Sequence, residues 1–352
     1  MDPSSVDELD TPALVVDVGR LERNLERWQR YCDEVGLVNR PHVKTHKIVE
    51  IARRQVDIGA RGVTCQKLGE AEVMADAGID DVLIPYNLLG ERKLERLGHL
   101  LARTSVSVST DDAALLPGLA SAAARAGREL GVHVECDTGL RRAGVDSPDR
   151  AARLAASVAR SEGLAFAGFV TYPAPPGALE FLREAAERAR RLGVEVRTVS
   201  AGGTPTMWRA KELVPTVTEY RVGTYVYHDR NTLAAGAASL DDVALTVLAT
   251  VVSRPAEDRA IIDAGSKALA YDPGPDSGHG LVLEAPASPV AALTEEHGHV
   301  AVGGGERLEL GQRVRIVPNH VCAVSNLFDD VWVARDGLVV DRWPVAARGR
   351  SQ

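Results

Sequence analysis

The feature that most restricts the fold of this chain is a regular alternation of two kinds of segment between about residues 12 and 230. Short runs rich in β-branched residues, typical of buried strands, alternate with longer runs whose apolar residues recur at helical spacing. The strand candidates are 13–17, 40–43, 62–65, 81–84, 106–109, 132–136, 166–171, 194–200 and 220–226, and the helix candidates are 47–58, 91–103, 111–126, 149–162 and 178–192. Repeated strand–helix units in one continuous stretch favour a closed, TIM-like (β/α)8 barrel over an open doubly wound sheet.

The sequence changes character after about residue 240. Short β-rich runs at 243–253, 260–263, 280–283, 298–302, 313–316 and 331–335 are joined by Pro, Gly and Asp turns, without a clear helix between them. This pattern predicts a second, all-β domain. We therefore predict an α/β protein with a barrel at 12–235 and a β domain at 236–345, on which residues 1–11 pack.

The charge and cysteine content exclude several classes of protein. The 352 residues carry a net charge of −8 and contain no block of Lys and Arg, which argues against a nucleic-acid partner. The acidic, polar start is unlike a secretory signal, and no stretch approaches the about 18 apolar residues of a membrane span. The four cysteines form no CxxC pair, which argues against a disulfide framework or a zinc ribbon. We predict a cytoplasmic protein that acts on small molecules.

Lys44 is the first candidate for chemistry. It lies in the segment 40–47 (RPHVKTHK), near the end of an apolar strand and just before a helix. In a barrel, that end of a strand faces the active-site mouth. Basic neighbours and partial desolvation both favour the neutral amine that forms a Schiff base with an aldehyde cofactor. A solvated loop lysine is the alternative interpretation.

Two glycine-containing segments late in the predicted barrel indicate a phosphate site. Gly202 and Gly203 follow the strand that ends at Ser200, and Gly223 with Thr224 lies in the next strand. Glycine lets backbone N–H groups approach a phosphate closely, and late barrel loops are a frequent phosphate site in this fold. Each segment alone could equally be a plain turn.

The segment 135–144 (ECDTGLRRAG) also ends a predicted strand, and it carries both signs of charge to the barrel mouth. An arginine here could contact a ring oxygen of a cofactor while the carboxylates orient it. The alternative is an ion-pair network that closes the end of the barrel.

The motifs RPHxKTHK (40–47), ExDTGxxRxG (135–144), SxGGT (200–204) and PNHxC (318–322) occur in this order, and with them the chain resembles the D-threonine aldolase and D-serine dehydratase family from about residue 11 to 336. The family consists of alanine-racemase-like enzymes that use pyridoxal 5'-phosphate (PLP). The resemblance implies that Lys44 is the Schiff-base lysine. It also implies cofactor contacts from Gln66, Arg142, Tyr172, Gly202, Gly203, Thr204, Gly223 and Thr224.

His320 and Cys322 form a candidate metal pair. In an extended strand, side chains two positions apart lie on one face, so both could bind one ion. An isolated His-x-Cys pair is often accidental, and the resemblance makes the metal interpretation the stronger one. A thiolate favours zinc, with manganese or magnesium as alternatives. Within the family, D-threonine aldolases carry His-x-Asp at this place and D-serine dehydratases carry His-x-Cys. By this resemblance, Cys322 favours dehydration.

We therefore predict a PLP- and divalent-metal-dependent lyase that acts on D-3-hydroxy amino acids and converts D-serine to pyruvate and ammonia, with Lys44, His320 and Cys322 as its catalytic residues. The first alternative is retro-aldol cleavage of D-threonine to glycine and an aldehyde. The second is an amino-acid racemase, which would share the lysine and phosphate motifs but would not need the His-x-Cys pair. A homodimer is the assembly that the resemblance favours.

Overall fold

Helices and strands follow one another through most of residues 3–352, the part of the chain that this computed structural model describes. The strands are β1 (Ala13–Asp17), β2 (Val38–Asn39), β3 (Val63–Thr64), β4 (Asp81–Ile84), β5 (Ser105–Thr110), β6 (Leu130–Cys136), β7 (Leu164–Thr171), β8 (Val199–Gly202), β9 (Glu219–Arg221), β10 (Leu245–Ala256), β11 (Arg259–Ile262), β12 (Gly280–Val282), β13 (Val290–Leu293), β14 (Gly298–Ala301), β15 (Arg313–Pro318), β16 (Asp330–Arg335) and β17 (Leu338–Pro344). The α-helices are α1 (Val18–Val35), α2 (Val49–Asp57), α3 (Leu68–Asp76), α4 (Glu91–Arg103), α5 (Leu116–Ala126), α6 (Pro148–Arg160), α7 (Ala178–Arg191), α8 (Arg230–Ala234), α9 (Ser266–Leu269) and α10 (Val321–Ser325). None of the helices in this described part is long and apolar enough to cross a membrane.

The chain divides into two units. The barrel unit contains Trp28–Lys44, Ile51–Gly223 and Arg350–Gln352. The β unit contains the described residues up to Arg27, together with Thr45–Glu50 and Thr224–Gly349.

Eight parallel strands form the sheet of the barrel unit, in the order β2-β9-β8-β7-β6-β5-β4-β3. The two ends of this order meet, because His42 and Thr64 form a parallel bridge and the Thr64 N–H donates to Pro41 O at 2.7 Å. The predicted (β/α)8 barrel is therefore confirmed.

The helices between these strands follow from local sequence signals. Helix α6 begins at Pro148, whose fixed φ suits a first turn, and the Ser147 hydroxyl accepts the Arg150 N–H as an N-cap. Helix α5 ends at Gly127, which adopts a left-handed conformation with φ of 62°. Small and apolar residues form the buried face of α7: Ala178, Leu182, Ala185, Ala186 and Ala189. These residues form the apolar stripe that is expected on the core-facing side of a helix.

Charged side chains occupy the interior of the barrel, where branched aliphatic residues are usual. Arg40 is 5% exposed and Glu219 is 2% exposed, and the Arg40 Nε lies 2.8 Å from Glu219 Oε2. Arg40 also reaches Asp81 at 2.7 Å, and the Ser200 hydroxyl donates to Glu219 at 2.7 Å. The contacts of Glu219 join neighbouring strands, and the contact of Arg40 with Asp81 reaches past β3 to β4.

The β unit is built on a mostly antiparallel sheet of nine strands, with the path β13-β14-β11-β10-β1-β16-β17 and with β15 joined to both β10 and β12. The long strand β10 is its centre, since it pairs with β1, β11 and β15. Leu9, which precedes β1, packs on this sheet beside Val15 and Leu248. The first two residues of the predicted 1–11 segment lie outside the described part of the chain. The predicted C-terminal β domain is confirmed, although α8, α9 and α10 add short helices that the sequence pattern did not indicate.

One strand assignment needs correction. The run at 13–17 was expected to open the barrel, but β1 pairs antiparallel with β10 and parallel with β16 in the β unit. The run is short and apolar, and such a run fits equally well in either sheet, so only its pairing partners decide. The predicted domain limits, 12–235 and 236–345, stay a prediction.

Candidate functional site

Lys44 lies just beyond β2, within a single 3₁₀ turn at Val43–Thr45. The pairing of this segment with β9 continues past β2, because the His42 N–H donates to Val222 O at 2.7 Å. Lys44 is half-buried, between the fully buried Val43 and Thr45. Its position at the carboxyl end of a barrel strand agrees with the sequence-based prediction, because active sites of this fold lie at that end.

His42 connects Lys44 with Gln66. The Lys44 N–H faces His42 Nδ1 at 3.4 Å, and His42 Nε2 lies 3.2 Å from Gln66 Oε1. A backbone N–H can only donate, so Nδ1 is the accepting nitrogen and Nε2–H donates to the glutamine oxygen. The Gln66 N–H in turn donates to Glu70 Oε2 at 2.7 Å. The structure therefore brings two of the predicted cofactor residues together through a histidine to which we had assigned no role.

The two predicted phosphate segments are neighbours at the carboxyl ends of β8 and β9. The Gly203 N–H donates to Arg221 O at 3.0 Å. A Cβ at Gly202 would lie 2.3 Å from that same oxygen, so only glycine permits the approach. Gly203 has a φ of 133° and is followed by a 3₁₀ helix at Thr204–Leu213. The first N–H groups of a helix have no partner within the helix, and they suit an anion.

Tyr172 borders the same glycine segment. A Cβ at Gly203 would lie 3.5 Å from Tyr172 Cε2, so the absent side chain leaves room beside the tyrosine ring. Tyr172 is 42% exposed, and the Arg142 guanidinium lies 5.7 Å from its ring centroid. The barrel unit thus carries three features at its strand ends: the turn with Lys44, the glycine segment 202–203, and the Tyr172 ring with Arg142 beside it. An amine, a close backbone approach and an aromatic ring are the groups that would suit the aldehyde, the phosphate and the ring of a phosphorylated pyridine aldehyde.

The loop that carries Arg142 is held by carboxylates. Asp137 accepts the N–H groups of Gly139 at 2.9 Å and Arg141 at 3.0 Å, and these hydrogen bonds lower the pKa of its carboxyl. The Gly144 N–H donates to Asp111 at 2.8 Å. The charges of this segment therefore shape the loop, while Arg142 stays exposed.

Arg221 is a residue of the barrel interior that our sequence analysis missed. It is 7% exposed, and it donates to Thr171 O at 2.9 Å and to the Ser200 hydroxyl. Burial lowers its pKa, although Glu219 and Glu135 act in the opposite direction. Charged residues at alternate positions of a strand usually lie on a solvent-exposed face. The pattern of Glu219 and Arg221 in the sequence therefore indicates exposure and not burial.

His320 and Cys322 lie in the β unit, but not in an extended strand. Strand β15 ends at Pro318, and His320 precedes helix α10, in whose first turn Cys322 lies. The two side chains therefore do not share one face of a strand, contrary to the prediction. They nevertheless meet, because a hydrogen bond joins Cys322 to His320 and is the main cause that raises the pKa of His320 to about 9.

The surroundings of this pair suit a metal ion. His320 Nδ1 lies 3.1 Å from Asp272 Oδ1, an arrangement in which a carboxylate orients a histidine and leaves its other nitrogen for the metal. The Thr45 hydroxyl lies 3.2 Å from Cys322 Sγ. Within residues 3–352, no three His, Cys, Asp or Glu side chains gather as a complete ligand set. Two protein ligands would leave positions open for a substrate.

Two family models match the chain. "Alanine racemase, N-terminal domain" matches residues 16–231, and "Putative serine dehydratase domain" matches residues 244–334. The first match covers the strands and helices of the barrel unit, and the second includes His320 and Cys322.

Relatives with known activities are similar over nearly the whole chain. A D-threonine aldolase from an Arthrobacter species is 36% identical over 98% of this chain and 94% of its own length. The D-threo-3-hydroxyaspartate dehydratase of Delftia sp. strain HT23 is 35% identical over 94% of this chain and 96% of its own length. The crystal structure of D-threonine aldolase from Filomicrobium marinum superimposes with a TM-score of 0.90 and 34% identity, over 99% of both chains.

Solved variants of a D-threo-3-hydroxyaspartate dehydratase bear on the metal pair. One variant has a cysteine replaced by alanine and is in the metal-free form; it superimposes with a TM-score of 0.86 and 33% identity, over 97% of this chain and 98% of that chain. Another variant replaces a histidine two positions earlier. The spacing of these two residues equals that of His320 and Cys322.

Proposed function

Because the chain belongs to the D-threonine aldolase and D-serine dehydratase family of alanine-racemase-like, PLP-dependent lyases, we propose that it removes water from D-3-hydroxy amino acids with the help of PLP and a divalent metal. D-serine, which would yield pyruvate and ammonia, is the simplest such substrate. The observation that carries the choice of dehydration is Cys322, which hydrogen-bonds to His320 as the second member of a His-x-Cys pair. A cytoplasmic location and a homodimer stay predictions of the sequence.

In this proposal, PLP binds at the carboxyl ends of the barrel strands. The Lys44 amine attaches the cofactor, Gln66 and Tyr172 border its ring, Gly202 and Gly203 shape the cradle, and the N–H groups of Thr204, Gly223 and Thr224 bind its phosphate. When bound, PLP supplies an electron sink for the charge that develops at Cα of the substrate. With PLP and substrate bound, the Lys44 Nζ would be the base that accepts the proton from Cα.

The β unit holds the metal in this proposal. His320 and Cys322 bind it, and Asp272 fixes the orientation of the His320 ring through the 3.1 Å contact with Nδ1. A thiolate ligand favours zinc over magnesium or manganese. When bound, the ion supplies a Lewis acid for the hydroxyl on the β-carbon. The proposed net reaction would remove a proton from Cα and hydroxide from Cβ of the substrate, and hydrolysis of the resulting enamine would yield a 2-oxo acid and ammonia.

Retro-aldol cleavage is the second candidate, because D-threonine aldolases are among the similar proteins at 34% and 36% identity. It uses the same bound groups but breaks the bond between Cα and Cβ, which yields glycine and an aldehyde. Racemisation has less support, because the alanine racemases among the similar structures are only 12–19% identical and share the fold alone.

Product analysis tests the proposal. The PLP- and zinc-loaded protein would be incubated with D-serine, D-threonine and D-threo-3-hydroxyaspartate in parallel, with assays for 2-oxo acid, ammonia, glycine and aldehyde. We expect 2-oxo acid and ammonia in equal amounts. Glycine with an equal amount of aldehyde would show an aldolase instead.

The variant Cys322→Ser separates the metal from the cofactor. It should lose activity and zinc while its PLP absorbance is unchanged. Cys32→Ser is the control, since Cys32 lies on α1, outside the proposed cofactor and metal motifs. Full activity of Cys322→Ser after chelation would rule out the metal role of this residue.

A further inference from the structure

We propose that Tyr220 is a positioning residue for the cofactor phosphate: its hydroxyl holds the segment Gly203–Thr206 in the conformation that directs backbone N–H groups at the phosphate. This inference rests on the proposed PLP site. Tyr220 lies in β9, between the interior residues Glu219 and Arg221, and its side chain is fully buried.

The hydroxyl of Tyr220 makes two contacts with this segment. Its oxygen lies 3.2 Å from Gly203 O and 3.1 Å from Thr206 Oγ1. A carbonyl oxygen only accepts, so the tyrosine hydroxyl donates to Gly203 and its lone pair accepts from the Thr206 hydroxyl. Both hydrogen-bonding roles of the tyrosine are therefore used, and both are directed at the start of the 3₁₀ helix Thr204–Leu213.

The contact with Gly203 O determines where the next N–H points. The carbonyl of Gly203 and the N–H of Thr204 belong to one planar trans peptide, so they point in opposite directions. With the oxygen held at Tyr220, the Thr204 N–H is directed away from the tyrosine. This N–H belongs to the first residue of a helix and has no partner within that helix, so it is available to an anion.

The residue after Tyr220 holds the other side of Gly203. The Gly203 N–H donates to Arg221 O at 3.0 Å. Gly203 has a φ of 133°, a conformation that only glycine adopts readily. In a loop without these contacts, the backbone of Gly203 would sample many other conformations. Two consecutive residues of β9 thus fix both peptide groups of this glycine before any ligand binds.

The ring of Tyr220 is itself immobilised by an aromatic cluster. Its centroid lies 5.6 Å from that of Trp28, which stacks on Tyr31 at 5.4 Å. The Trp28 Nε1–H donates to Asn39 Oδ1 at 2.9 Å, which anchors the cluster to β2. Because these aromatic neighbours restrict the rotation of the Tyr220 ring, its hydroxyl keeps one position. The segment Gly203–Thr206 is therefore already ordered before phosphate binds, and binding does not cost the entropy of ordering it.

Tyr31 offers a matched control on the same 3₁₀ helix. Its hydroxyl donates to Trp208 O at 2.9 Å and accepts the Lys211 N–H at 3.0 Å. Tyr31→Phe therefore removes two hydrogen bonds from this helix, as Tyr220→Phe does, but it leaves the segment Gly203–Thr206 untouched.

The test compares two ligands, PLP and pyridoxal, which lacks the phosphate. Each is titrated into the apoprotein of the wild type, Tyr220→Phe and Tyr31→Phe, and binding is followed by the visible absorbance of the bound aldehyde. We expect Tyr220→Phe to weaken PLP binding about tenfold, the order expected from the loss of one or two hydrogen bonds. Its affinity for pyridoxal should not change, and Tyr31→Phe should bind both ligands as the wild type does.

Other outcomes distinguish a failure of the proposed phosphate site from a failure of the proposed role of Tyr220. A wild type that binds PLP no more tightly than pyridoxal would contradict the phosphate site of the proposed function. If the wild type prefers PLP and Tyr220→Phe keeps that preference, or loses both ligands equally, the role of Tyr220 is overturned. Thr206→Val, at an exposed position, removes one of the two contacts and should weaken PLP binding selectively even if Tyr220→Phe folds poorly.

Discussion

His133 makes the stability of this protein sensitive to acid. It lies on β6 in the barrel interior and is 6% exposed, and its Nδ1 has no hydrogen-bond partner. Burial is the largest cause that lowers its pKa to about 4; the guanidinium groups of Arg40 and Arg221 act in the same direction, and Glu219 opposes them. The ring is therefore neutral in the folded protein throughout the physiological range.

The sign and size of the effect follow from this pKa. A histidine in the unfolded chain has a pKa of about 6.5. Between pH 6.5 and 4 the unfolded chain binds a proton that the folded protein does not bind, so the free energy of unfolding falls as the pH falls. With pKa values of about 6.5 and about 4, a change from pH 7 to pH 5 costs about 2 kcal/mol of stability.

The substitution His133→Gln tests this value. Urea unfolding would be followed by circular dichroism at pH 7 and pH 5 for the wild type and the variant. The variant should lose about 2 kcal/mol less than the wild type between the two pH values. His99→Gln is the control, since His99 is exposed on α4. Equal losses in the wild type and His133→Gln would refute the reasoning.

Three further predictions concern the cofactor, the metal and the barrel interior. Lys44→Ala should lose the bound-PLP absorbance on dialysis, whereas the wild type should retain it and become irreversibly labelled by borohydride; a retained band in the variant would contradict the assignment. Asp272→Asn should lower zinc affinity about 10- to 100-fold, because the His320 ring loses the carboxylate that orients it; competition with a chelator measures this, and an unchanged affinity would remove Asp272 from the site. Glu219→Gln should lower the free energy of unfolding by about 3 kcal/mol, since the buried Arg40 keeps only the half-exposed Asp81 as a partner; a loss below about 1 kcal/mol in urea unfolding would show that water screens this pair.

Several parts of the fold could be predicted because their signals are local. The alternation of β-branched and helical runs predicted parallel strands with helices between them, and the capping residues Ser147 and Gly127 lie within a residue of the helix ends they set. The glycines at 202 and 203 were predicted to approach a phosphate, which stays a prediction; the structure shows that Gly202 lies close to the backbone of Arg221. These features depend on steric limits that act over a few residues.

The candidate site was predicted only in part. The sequence singled out Lys44 and Gln66, but not His42, which contacts both of them. It also singled out His320 and Cys322, but with the wrong local geometry, since the strand ends at Pro318. The pair meets across the start of a short helix, and such a helix has too few residues for a periodic signal.

The sequence by itself determined the barrel class and the second β-rich domain, and it singled out Lys44, the glycines at 202 and 203 and the His320–Cys322 pair as candidates, because each of these depends on residue type or short-range spacing. Only the tertiary structure decided that β1 pairs in the sheet of the β unit, that Arg40, Glu219 and Arg221 face the barrel interior, and that Tyr220 holds Gly203. The physical reason is common to all three. The partner of a strand and the solvent exposure of its faces depend on residues that are distant in the chain, whereas composition and periodicity report only on near neighbours.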